Sequence, residues 1–525
     1  MKNKYIFLAL LAAGFTACTP EFDNPVEDGN YSAGEANFTS YVAVGNSLTA
    51  GYMDGTVSRS SQSYSFPSIL AQQFAVVGGG EFTQPSYADD VNNLGGLTLG
   101  GTILAGTRLV IDVSAGGPEN LVGTPTIDIS HLQAKAFNNM GVPGAKSFHL
   151  LAPGYGSLAG VQTGQANPYF VRHATSATAT VLGDAMTKNP TFFTNWIGNN
   201  DILAFATSGG TGVDQTGNLN PATYGANDIT DPNVFASAYS TIVNTLTSNG
   251  AKGVVATIPN VTTIPFFTTV PYNPLTTTVL GEGNPATGVA TVQALNAQLY
   301  GPLKQILTAL GQGNRINLLS TTAPNPLLIK DENLTNLSAQ ITAVASTIPQ
   351  LAPLATVLGQ VYGQARQATA SDLVLLTTRT AIGTAPTAPV PAPLNKYGIT
   401  YPLEDKHILT SAEITLVNTA MTSYNNTIKS IALSKNLAVA DMNAIMTQLV
   451  SGLRTDDGQI YTSNYFAGTA TLSTVLFSLD GVHPNARGYA VISNEILKVI
   501  NAHYKSKLPL VSAAGYPGPT LVPTN

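Results

Sequence analysis

Short apolar runs alternate with amphipathic stretches along much of this chain. The apolar runs are rich in β-branched and aromatic side chains and are bounded by turn residues, which predicts buried strands. They span residues 41–44, 191–197, 253–259 and 437–442. Apolar residues recur at helical spacing between these runs, which predicts helices at residues 65–74, 181–189, 235–248, 411–434 and 486–504. Strand, helix, strand in this order favours parallel βαβ units and therefore an α/β sandwich with a parallel sheet.

Two stretches interrupt this pattern. Residues 78–130 are rich in Gly, Thr and Asn with short apolar pieces, which predicts an excursion with hairpins. Residues 261–406 are rich in Pro, Thr and Ala, with helical spacing near residues 292–310 and 334–347. Because this long segment leaves the sheet after a strand, we expect it at the carboxyl edge, where it would form a cap over a substrate pocket. The alternative is a structural elaboration away from any site.

The N-terminus predicts export. Residues 1–17 place Lys2 and Lys4 before an apolar run, as in a signal peptide, and the run is too short for a good membrane span. Cys18 follows directly and is the only cysteine; the segment resembles a bacterial lipoprotein signal, which implies a lipid on Cys18. We therefore expect a membrane anchor in the bacterial cell envelope, at the outer membrane, with residues 18–38 as a polar tether. The alternative is a free cysteine near an ordinary cleavage site.

These boundaries leave one large domain at residues 39–505, with residues 261–406 inserted, and a Pro- and Gly-rich segment, 506–525, that predicts an irregular tail. The chain has 525 residues, only 10% of them charged, with 49 Gly and 32 Pro, which is typical of a loop-rich secreted globule. The 23 basic and 29 acidic residues give a net charge of −6 without a visible basic patch. We therefore do not expect nucleic-acid binding.

The first predicted strand ends in Gly45-Asn46-Ser47-Leu48, and a helix can begin at Ser47. A serine at such a turn presents its hydroxyl at the carboxyl end of a sheet, as an acyl-transfer nucleophile requires, although these residues are also ordinary turn formers. A serine hydroxyl needs a base. Among six histidines, His483 stands out because Asp480 precedes it by three residues in a loop. Such a loop can hold the carboxylate against Nδ1 while Nε2 points to the serine, or it can serve only for capping.

Acyl transfer also requires hydrogen-bond donors for a tetrahedral oxyanion. The candidates are the N–H of Ser47, the N–H of Gly144 in a turn-rich segment, and the side-chain amide of Asn200 after a predicted strand. Glycine lets the backbone approach a substrate closely. Each of the last two residues also has a purely structural alternative, which is a positive φ for Gly144 and turn capping for Asn200.

Together, four blocks resemble the SGNH/GDSL hydrolase family in residue type and in order. They are residues 45–48, 139–144, 198–201 and 480–484. The resemblance implies that Ser47 is the nucleophile, His483 the general base and acid, and Asp480 its orienting carboxylate. It implies that Gly144 and Asn200 complete the oxyanion hole with the Ser47 N–H. It also implies a three-layer α/β/α sandwich, flavodoxin-like, with the site at the carboxyl ends of the strands and no metal or organic cofactor.

The chain departs from the family at Asn46, where the family has Asp before the serine. Asn keeps the hydrogen-bonding shape and lacks the charge, so we expect activity to survive. The sequence therefore predicts a serine esterase or lipase-like acylhydrolase, with lipid esters, acetylated polysaccharide and small esters all open as substrates. The rival hypothesis is a non-catalytic surface lipoprotein that binds lipid or glycan on a hydrolase scaffold.

Overall fold

The computed structural model describes residues 30–112, 117–387, 389–468 and 471–522. The predicted signal peptide, Cys18 and the first part of the predicted tether lie outside these described residues. Within the described ranges, none of the helices combines the length and apolarity that a membrane crossing requires.

At the centre of the described part of the chain lies a five-stranded parallel sheet. Its strands are β1 (Tyr41–Gly45), β2 (Asn139–Gly141), β3 (Phe192–Trp196), β4 (Lys252–Ala256) and β5 (Ala438–Ala440). They lie in the order β2-β1-β3-β4-β5 across the sheet. β1 and β3 are buried along their whole length, which explains why they appear in the sequence as continuous apolar runs. The predicted mixed α/β architecture with a central parallel sheet is confirmed.

The sequence pattern does not predict β2. Its three residues include one large apolar side chain and no β-branched residue, so the local strand preference is weak. The strand forms because it pairs with β1, where Gly141 lies opposite Gly45. A Cβ at Gly141 would lie 2.2 Å from the backbone N of Ala50, so glycine lets the turn after β1 pack against β2. Tertiary contact therefore decides this strand.

Helices cover both faces of the sheet. They are α1 (Phe66–Ala75), α2 (Val181–Met186), α3 (Asn200–Thr207), α4 (Pro232–Leu246), α5 (Ser411–Ser434), α6 (Met442–Ser451) and α7 (Ala486–Tyr504). On one face, the rings of Phe74 in α1 and Tyr504 in α7 lie 5.6 and 5.7 Å from the ring of Phe192 in β3. On the other face, Phe235 in α4 stacks on Tyr424 in α5 at 4.2 Å. Parallel strands joined by right-handed crossovers produce this arrangement.

The other helices are shorter or belong to the excursions. They span Ser47–Ala50, Arg59–Ser63, Pro168–Val171, Pro265–Thr268, Thr277–Leu280, Pro285–Leu295, Gly301–Ala309, Ser338–Ser346 and Ala355–Tyr362. The segment 78–130 forms the predicted hairpins, and short strand pairs occur elsewhere. The antiparallel pairs are Leu97–Leu99 with Thr102–Ala105, Leu109–Asp112 with Gly117–Asn120, Leu328–Lys330 with Ala365–Gln367, Leu373–Val374 with Ile408–Leu409, and Leu453–Arg454 with Ile460–Tyr461.

The composition of residues 506–525 predicted an irregular tail, but the structure shows a short strand near its end. Leu521–Val522 pairs in parallel with the strand Leu109–Asp112, in register with Ile111 and Asp112. The physical reason is that this hairpin strand has a second edge whose backbone groups can accept another strand. Pro and Gly upstream do not prevent these two residues from reaching that edge.

Residues 261–406 form apolar cores of their own beside the sheet. One cluster gathers around the buried side chains of Tyr300 and Tyr362. A second gathers around Leu327 and Leu403. The segment is therefore folded and is not a bare connection, while its predicted boundaries stay a prediction.

The expected tether, residues 18–38, does not extend from the domain over its described part, residues 30–38. Ala36 and Phe38 are buried, and the ring of Phe38 stacks on that of Phe74 at 4.1 Å. The N–H of Glu35 donates to the carbonyl of Tyr504 at 2.7 Å. The prediction was wrong here because two apolar side chains within a polar stretch gain more from burial against α1 than the polar composition suggests.

Candidate active site

The turn after β1 presents Ser47. Asn46 caps the helix Ser47–Ala50, because its side-chain oxygen accepts the N–H of Leu48 at 3.1 Å. Gly45 leaves room for this turn, since a Cβ there would lie 2.2 Å from Oγ1 of Thr49 and 2.6 Å from the carbonyl oxygen of Trp196. Ser47 therefore follows β1 directly, with only 6% of its surface exposed.

β1 lies where the order of strands changes direction. Gly45 at its end is in register with Gly141 of β2 on one side and with Trp196 of β3 on the other. The chain passes first from β1 to β2, and the later strands then build outward from β3. In an open parallel sheet, such a reversal leaves a crevice at the carboxyl ends of the strands, where ligands bind. Ser47 lies at this crevice.

His483 connects Ser47 to Asp480. Its Nε2 lies 2.8 Å from Oγ of Ser47, and its Nδ1 lies 2.9 Å from Oδ2 of Asp480. The structure therefore brings together the three residues that the sequence predicts as nucleophile, base and orienting carboxylate. With the carboxylate accepting from Nδ1, Nε2 is left to accept the proton of the serine hydroxyl.

Asp480 is held as a carboxylate. Burial alone would raise its pKa, but His483 and the N–H groups of Val482 and His483 outweigh burial and lower the pKa to about 2. These N–H groups donate to Oδ1 at 2.9 and 2.8 Å, and the hydroxyl of Ser478 donates to the same oxygen at 2.9 Å. The N–H of Gly55 donates to Oδ2 at 3.2 Å. Asp480 is therefore negative at neutral pH, which is the state that stabilises an imidazolium beside it.

The turn at residues 52–55 belongs to the site, although no local sequence pattern predicts this. The ring of Tyr52 lies 4.5 Å from the ring of His483, and its hydroxyl donates to the carbonyl of Gly55. Gly55 has φ +83°, a conformation that favours glycine. The Asp-Gly pair at residues 54–55 is a recognisable turn signal. Nothing local, however, indicates that this turn contacts a loop more than 400 residues away.

Asp54 lies behind Asp480 and has the opposite pKa shift. Its backbone N–H donates to the hydroxyl of Ser478 at 3.0 Å, and that hydroxyl donates to Asp480. The Asp54 carboxyl accepts the N–H of Leu479 at 3.0 Å. Burial raises the pKa of Asp54 to about 7; the Leu479 N–H opposes this rise, and the charge of Asp480 adds to it. Two neighbouring carboxyl groups thus titrate in different pH ranges.

Gly144 and Asn200 follow the strands on either side of β1. Gly144 comes after β2 with φ +79°, and Asn200 is the first residue of α3, after β3. The side-chain amide of Asn200 donates to the carbonyl of Ala145 at 2.9 Å. Asp201 accepts the N–H and the hydroxyl of Ser147 at 2.9 and 2.8 Å. The turn that contains Gly144 is therefore fixed to the start of α3.

These two residues open to different spaces. Asn200 lines the same cleft as His483, which has a volume of about 870 Å³. Gly144 lines a neighbouring cleft of about 1120 Å³ with the rings of His149 and Tyr155. The structure thus brings Asn200 to the cleft that His483 lines and leaves Gly144 in the neighbouring cleft.

The segment 261–406 reaches the cleft that His483 lines. Phe266, Leu376 and Arg379 line it, and the N–H of Phe266 donates to the carbonyl of Gly481 at 2.9 Å. A Cβ at Gly481, which has φ +72°, would lie 2.7 Å from Cδ2 of Leu376. The loop that carries His483 therefore packs directly against the inserted segment. The role of the segment 261–406 as a cap stays a prediction.

Among the described residues, no group of three or more His, Cys, Asp or Glu side chains is arranged to hold a metal ion. The hydroxyl of Ser47, the imidazole of His483 and the carboxylate of Asp480 form one hydrogen-bonded series, and the side-chain amide of Asn200 lines the same cleft as His483. None of the family models, curated proteins or solved structures compared with this chain matches it.

Proposed function

We propose that this protein is a serine hydrolase that cleaves carboxylic esters through an acyl-enzyme. The observation that carries the proposal is the continuous hydrogen-bonded series from Ser47 through His483 to Asp480, at 2.8 and 2.9 Å. A nucleophile and a base within hydrogen-bond reach, with the base oriented by a third group, form the arrangement that activates a serine hydroxyl.

In the acylation step, Oγ of Ser47 attacks the ester carbonyl carbon and its proton passes to Nε2 of His483. The carbonyl oxygen becomes an oxyanion, which accepts hydrogen bonds from the Ser47 N–H and from the Asn200 amide, which lines the cleft of His483. The family resemblance is the ground for proposing the Gly144 N–H as a third donor. When the tetrahedral intermediate collapses, the bond to the alcohol oxygen breaks and His483 donates its proton to that oxygen. The alcohol leaves, and the acyl group stays on Ser47.

In the deacylation step, His483 takes a proton from water, and the resulting nucleophile attacks the acyl carbon. The second tetrahedral intermediate collapses with release of the acid, and the proton on His483 returns to Oγ of Ser47. Asp480 stays ionised throughout and stabilises the imidazolium. No metal or organic cofactor enters either step.

We further propose that the fold is a three-layer α/β/α sandwich of the SGNH/GDSL hydrolase type. The strand order β2-β1-β3-β4-β5 supports this, because it is the order of flavodoxin-like sheets. The four sequence blocks support it too, since three of them follow adjacent strands. Asn46 takes the place of the family Asp and caps the serine turn without a charge.

The proposed location is the bacterial outer membrane, through a lipid on Cys18. The signal-like segment before this cysteine supports it. Expression of the full chain in a bacterium grown with radioactive palmitate should label the protein. The variant Cys18→Ala should lose the label, and equal labelling of both proteins would contradict the anchor.

The decisive experiment is labelling with a fluorophosphonate probe together with hydrolysis of p-nitrophenyl acetate. Ser47→Ala should abolish labelling and lower kcat by at least about 10³-fold, because the residual binding groups alone provide little rate. Ser248→Ala, at an exposed serine beyond α4, is the matched control and should behave as the wild type. Wild-type protein that neither labels nor hydrolyses any ester would favour the non-catalytic lipid- or glycan-binding alternative.

A further inference from the structure

A second cavity lies at the carboxyl edge of the sheet, beside the nucleophile. Its volume is about 110 Å³, and it is lined by α6, by the start of α7 and by residues that follow β1 and β4. Its wall includes Leu48, directly after Ser47, and Trp196, the last residue of β3. The cavity therefore occupies the same sheet edge as the catalytic residues.

The lining of this cavity is apolar throughout. Every residue around it is aliphatic, aromatic, Met, Pro or Gly, and α6 contributes Met446 and Leu449, both buried. A pocket without polar groups does not hold water well, and apolar cavities of this size stay dry and take up hydrocarbon molecules. Met and Leu side chains also adapt to chains of different shape. The chemistry of this lining therefore fits a hydrocarbon chain.

Two of the residues that line the cavity are sequence neighbours of Ser47 and His483. Leu48 follows Ser47, Val482 precedes His483, and both of these apolar residues are half-buried. Val482 also lines the wide cleft into which His483 opens, so the two spaces share this side chain as a wall. An acyl group bonded to Ser47 would thus lie between an apolar pocket and a wider cleft with polar side chains in its wall.

We propose that this cavity is the acyl-chain pocket, and that the substrates are esters of straight-chain aliphatic acids of about four to eight carbons. The inference rests on the proposed esterase function and names its substrate class. The cleft is left to the alcohol portion, and polar side chains such as Glu119, Thr377 and Arg379 in its wall fit a polar alcohol. The leaving oxygen then lies on the side of His483, which must protonate it.

The chain-length profile follows from the transfer of methylene groups out of water. Each methylene that enters the cavity should raise kcat/KM about fourfold. From p-nitrophenyl acetate to the hexanoate, kcat/KM should therefore rise on the order of 10²-fold. Once the cavity is full, longer chains should bring no further gain, because additional methylenes would remain outside it.

Two tryptophan variants on the same helix test the assignment. Leu449→Trp adds bulk inside the cavity, where Leu449 is 7% exposed, whereas Val450→Trp places the same side chain at a position that is 50% exposed. The ratio of kcat/KM for hexanoate to that for acetate should fall at least tenfold in the first variant. It should keep the wild-type value in the second. Equal ratios in both variants would overturn the proposal.

A binding measurement tests the cavity even where Leu449→Trp does not fold. Trp196 is the only tryptophan of the chain and lines the cavity, so its fluorescence reports what enters. In the Ser47→Ala protein, 8-bromooctanoate should quench this fluorescence saturably, and unbrominated octanoate should reverse the quenching by competition. No quenching by 8-bromooctanoate would overturn the proposal.

The outcomes separate this inference from the function on which it rests. Hydrolysis without chain-length preference, together with no quenching, would show that the cavity is a packing gap and would leave the esterase proposal intact. Quenching with no hydrolysis of any ester by the wild type would overturn the esterase proposal and the acyl role with it. Chain-dependent hydrolysis together with saturable quenching is the expected result.

Discussion

Two clusters of charged side chains, one at the sheet edge and one in the inserted segment, differ in their surroundings and in the chemistry that we propose for them. At the sheet edge, Asp480 is bonded to His483, whose other nitrogen reaches Ser47. In the inserted segment, Arg366 lies between Asp331 and Asp372, with 2.7 Å from Nε to Asp331 and 2.7 and 2.8 Å to the two oxygens of Asp372. Both regions contain buried carboxylates that accept several hydrogen bonds.

The two clusters differ in whether they can exchange a proton near neutral pH and in whether they open to a cleft. Burial alone would lower the pKa of Arg366, but its bonds to Asp372 and Asp331 outweigh burial and raise the pKa, so the guanidinium stays charged. Burial alone would raise the pKa of Asp372, but Arg366 outweighs it and lowers the pKa. Arg366 and Asp372 therefore stay charged near neutral pH, and we assign their ion pair a structural role. The Asp480 cluster ends in an imidazole, a hydroxyl and an open cleft.

The largest expected effect is that of Asp480→Asn. The variant should lower kcat by about 10³- to 10⁴-fold, because an amide neither holds the required tautomer of His483 nor stabilises the imidazolium. Turnover of p-nitrophenyl acetate measures the loss, and far-UV circular dichroism checks the fold. Asp457→Asn, at an exposed turn carboxylate, is the control and should keep wild-type turnover. Near-normal turnover by Asp480→Asn would remove the distinction between the two clusters.

Arg366→Met should affect stability and not chemistry. The change leaves Asp331 and Asp372 buried without their cation, so the free energy of unfolding should fall by about 3–5 kcal/mol. Urea unfolding measures the loss. Lys406→Met, which removes the exposed pair with Glu404, should cost less than about 1 kcal/mol. A loss of kcat in folded Arg366→Met as large as that of Asp480→Asn would contradict a purely structural role.

Asp54 sharpens the comparison because it is a buried carboxyl linked to Asp480 through the hydroxyl of Ser478. Burial raises its pKa to about 7, whereas an unfolded chain has a value near 3.9. Between these values the folded protein binds a proton that the unfolded chain lacks. Its contribution to stability is therefore complete below about pH 4 and is lost as the pH rises through about 7.

The variant Asp54→Asn should remove this dependence, and asparagine suits the φ of +54° at this position. From pH 5 to pH 8, the wild-type free energy of unfolding should fall on the order of 2 kcal/mol more than that of the variant. Urea unfolding at both pH values measures the difference. Parallel pH dependence of the two proteins would show that Asp54 does not titrate in this range.

The smallest effect is expected for Asn46→Asp, which adds a second carboxylate near Ser47. Both side chains can accept the N–H of Leu48, so the cap persists and kcat/KM should change less than about tenfold. Asn46→Ala is the matched variant and should lower the free energy of unfolding by about 1 kcal/mol through loss of the cap. A loss above about 100-fold in Asn46→Asp would show that the site does not tolerate another negative charge.

Local patterns carried much of the fold. β1, β3 and β4 could be predicted because strands buried on both faces are continuous apolar runs. The start of α5 could be predicted because Thr410 and Glu413 form a capping box, and the structure has one there. The strand predicted at 437–442 is shorter than expected, because Asp441 caps α6 by accepting the N–H of Ala444. Asp441, a residue type that favours helix N-caps, was the signal in the sequence that the strand ends before it.

The candidate site likewise has parts that local sequence patterns predict and parts that only distant contacts determine. The serine turn and the Asp480–His483 loop are each encoded within a few consecutive residues, so the sequence predicts both. Tyr52 and Gly55 enter the site only through contacts with the loop that holds Asp480 and His483, which no local pattern encodes. Phe38 likewise belongs to the core through its stack on Phe74, against the polar composition around it.

The sequence by itself determined the mixed α/β class, the major helices and the choice of Ser47, His483 and Asp480 as the candidate residues, because periodicity, caps and turns act over a few residues. The tertiary structure alone decided the edge strand β2, the turn beside His483, the raised pKa of Asp54 and the apolar cavity behind Leu48. Each of these features depends on segments that are far apart in the sequence. Such segments bury one another and exclude water only once the chain has folded, so no local pattern predicts the result.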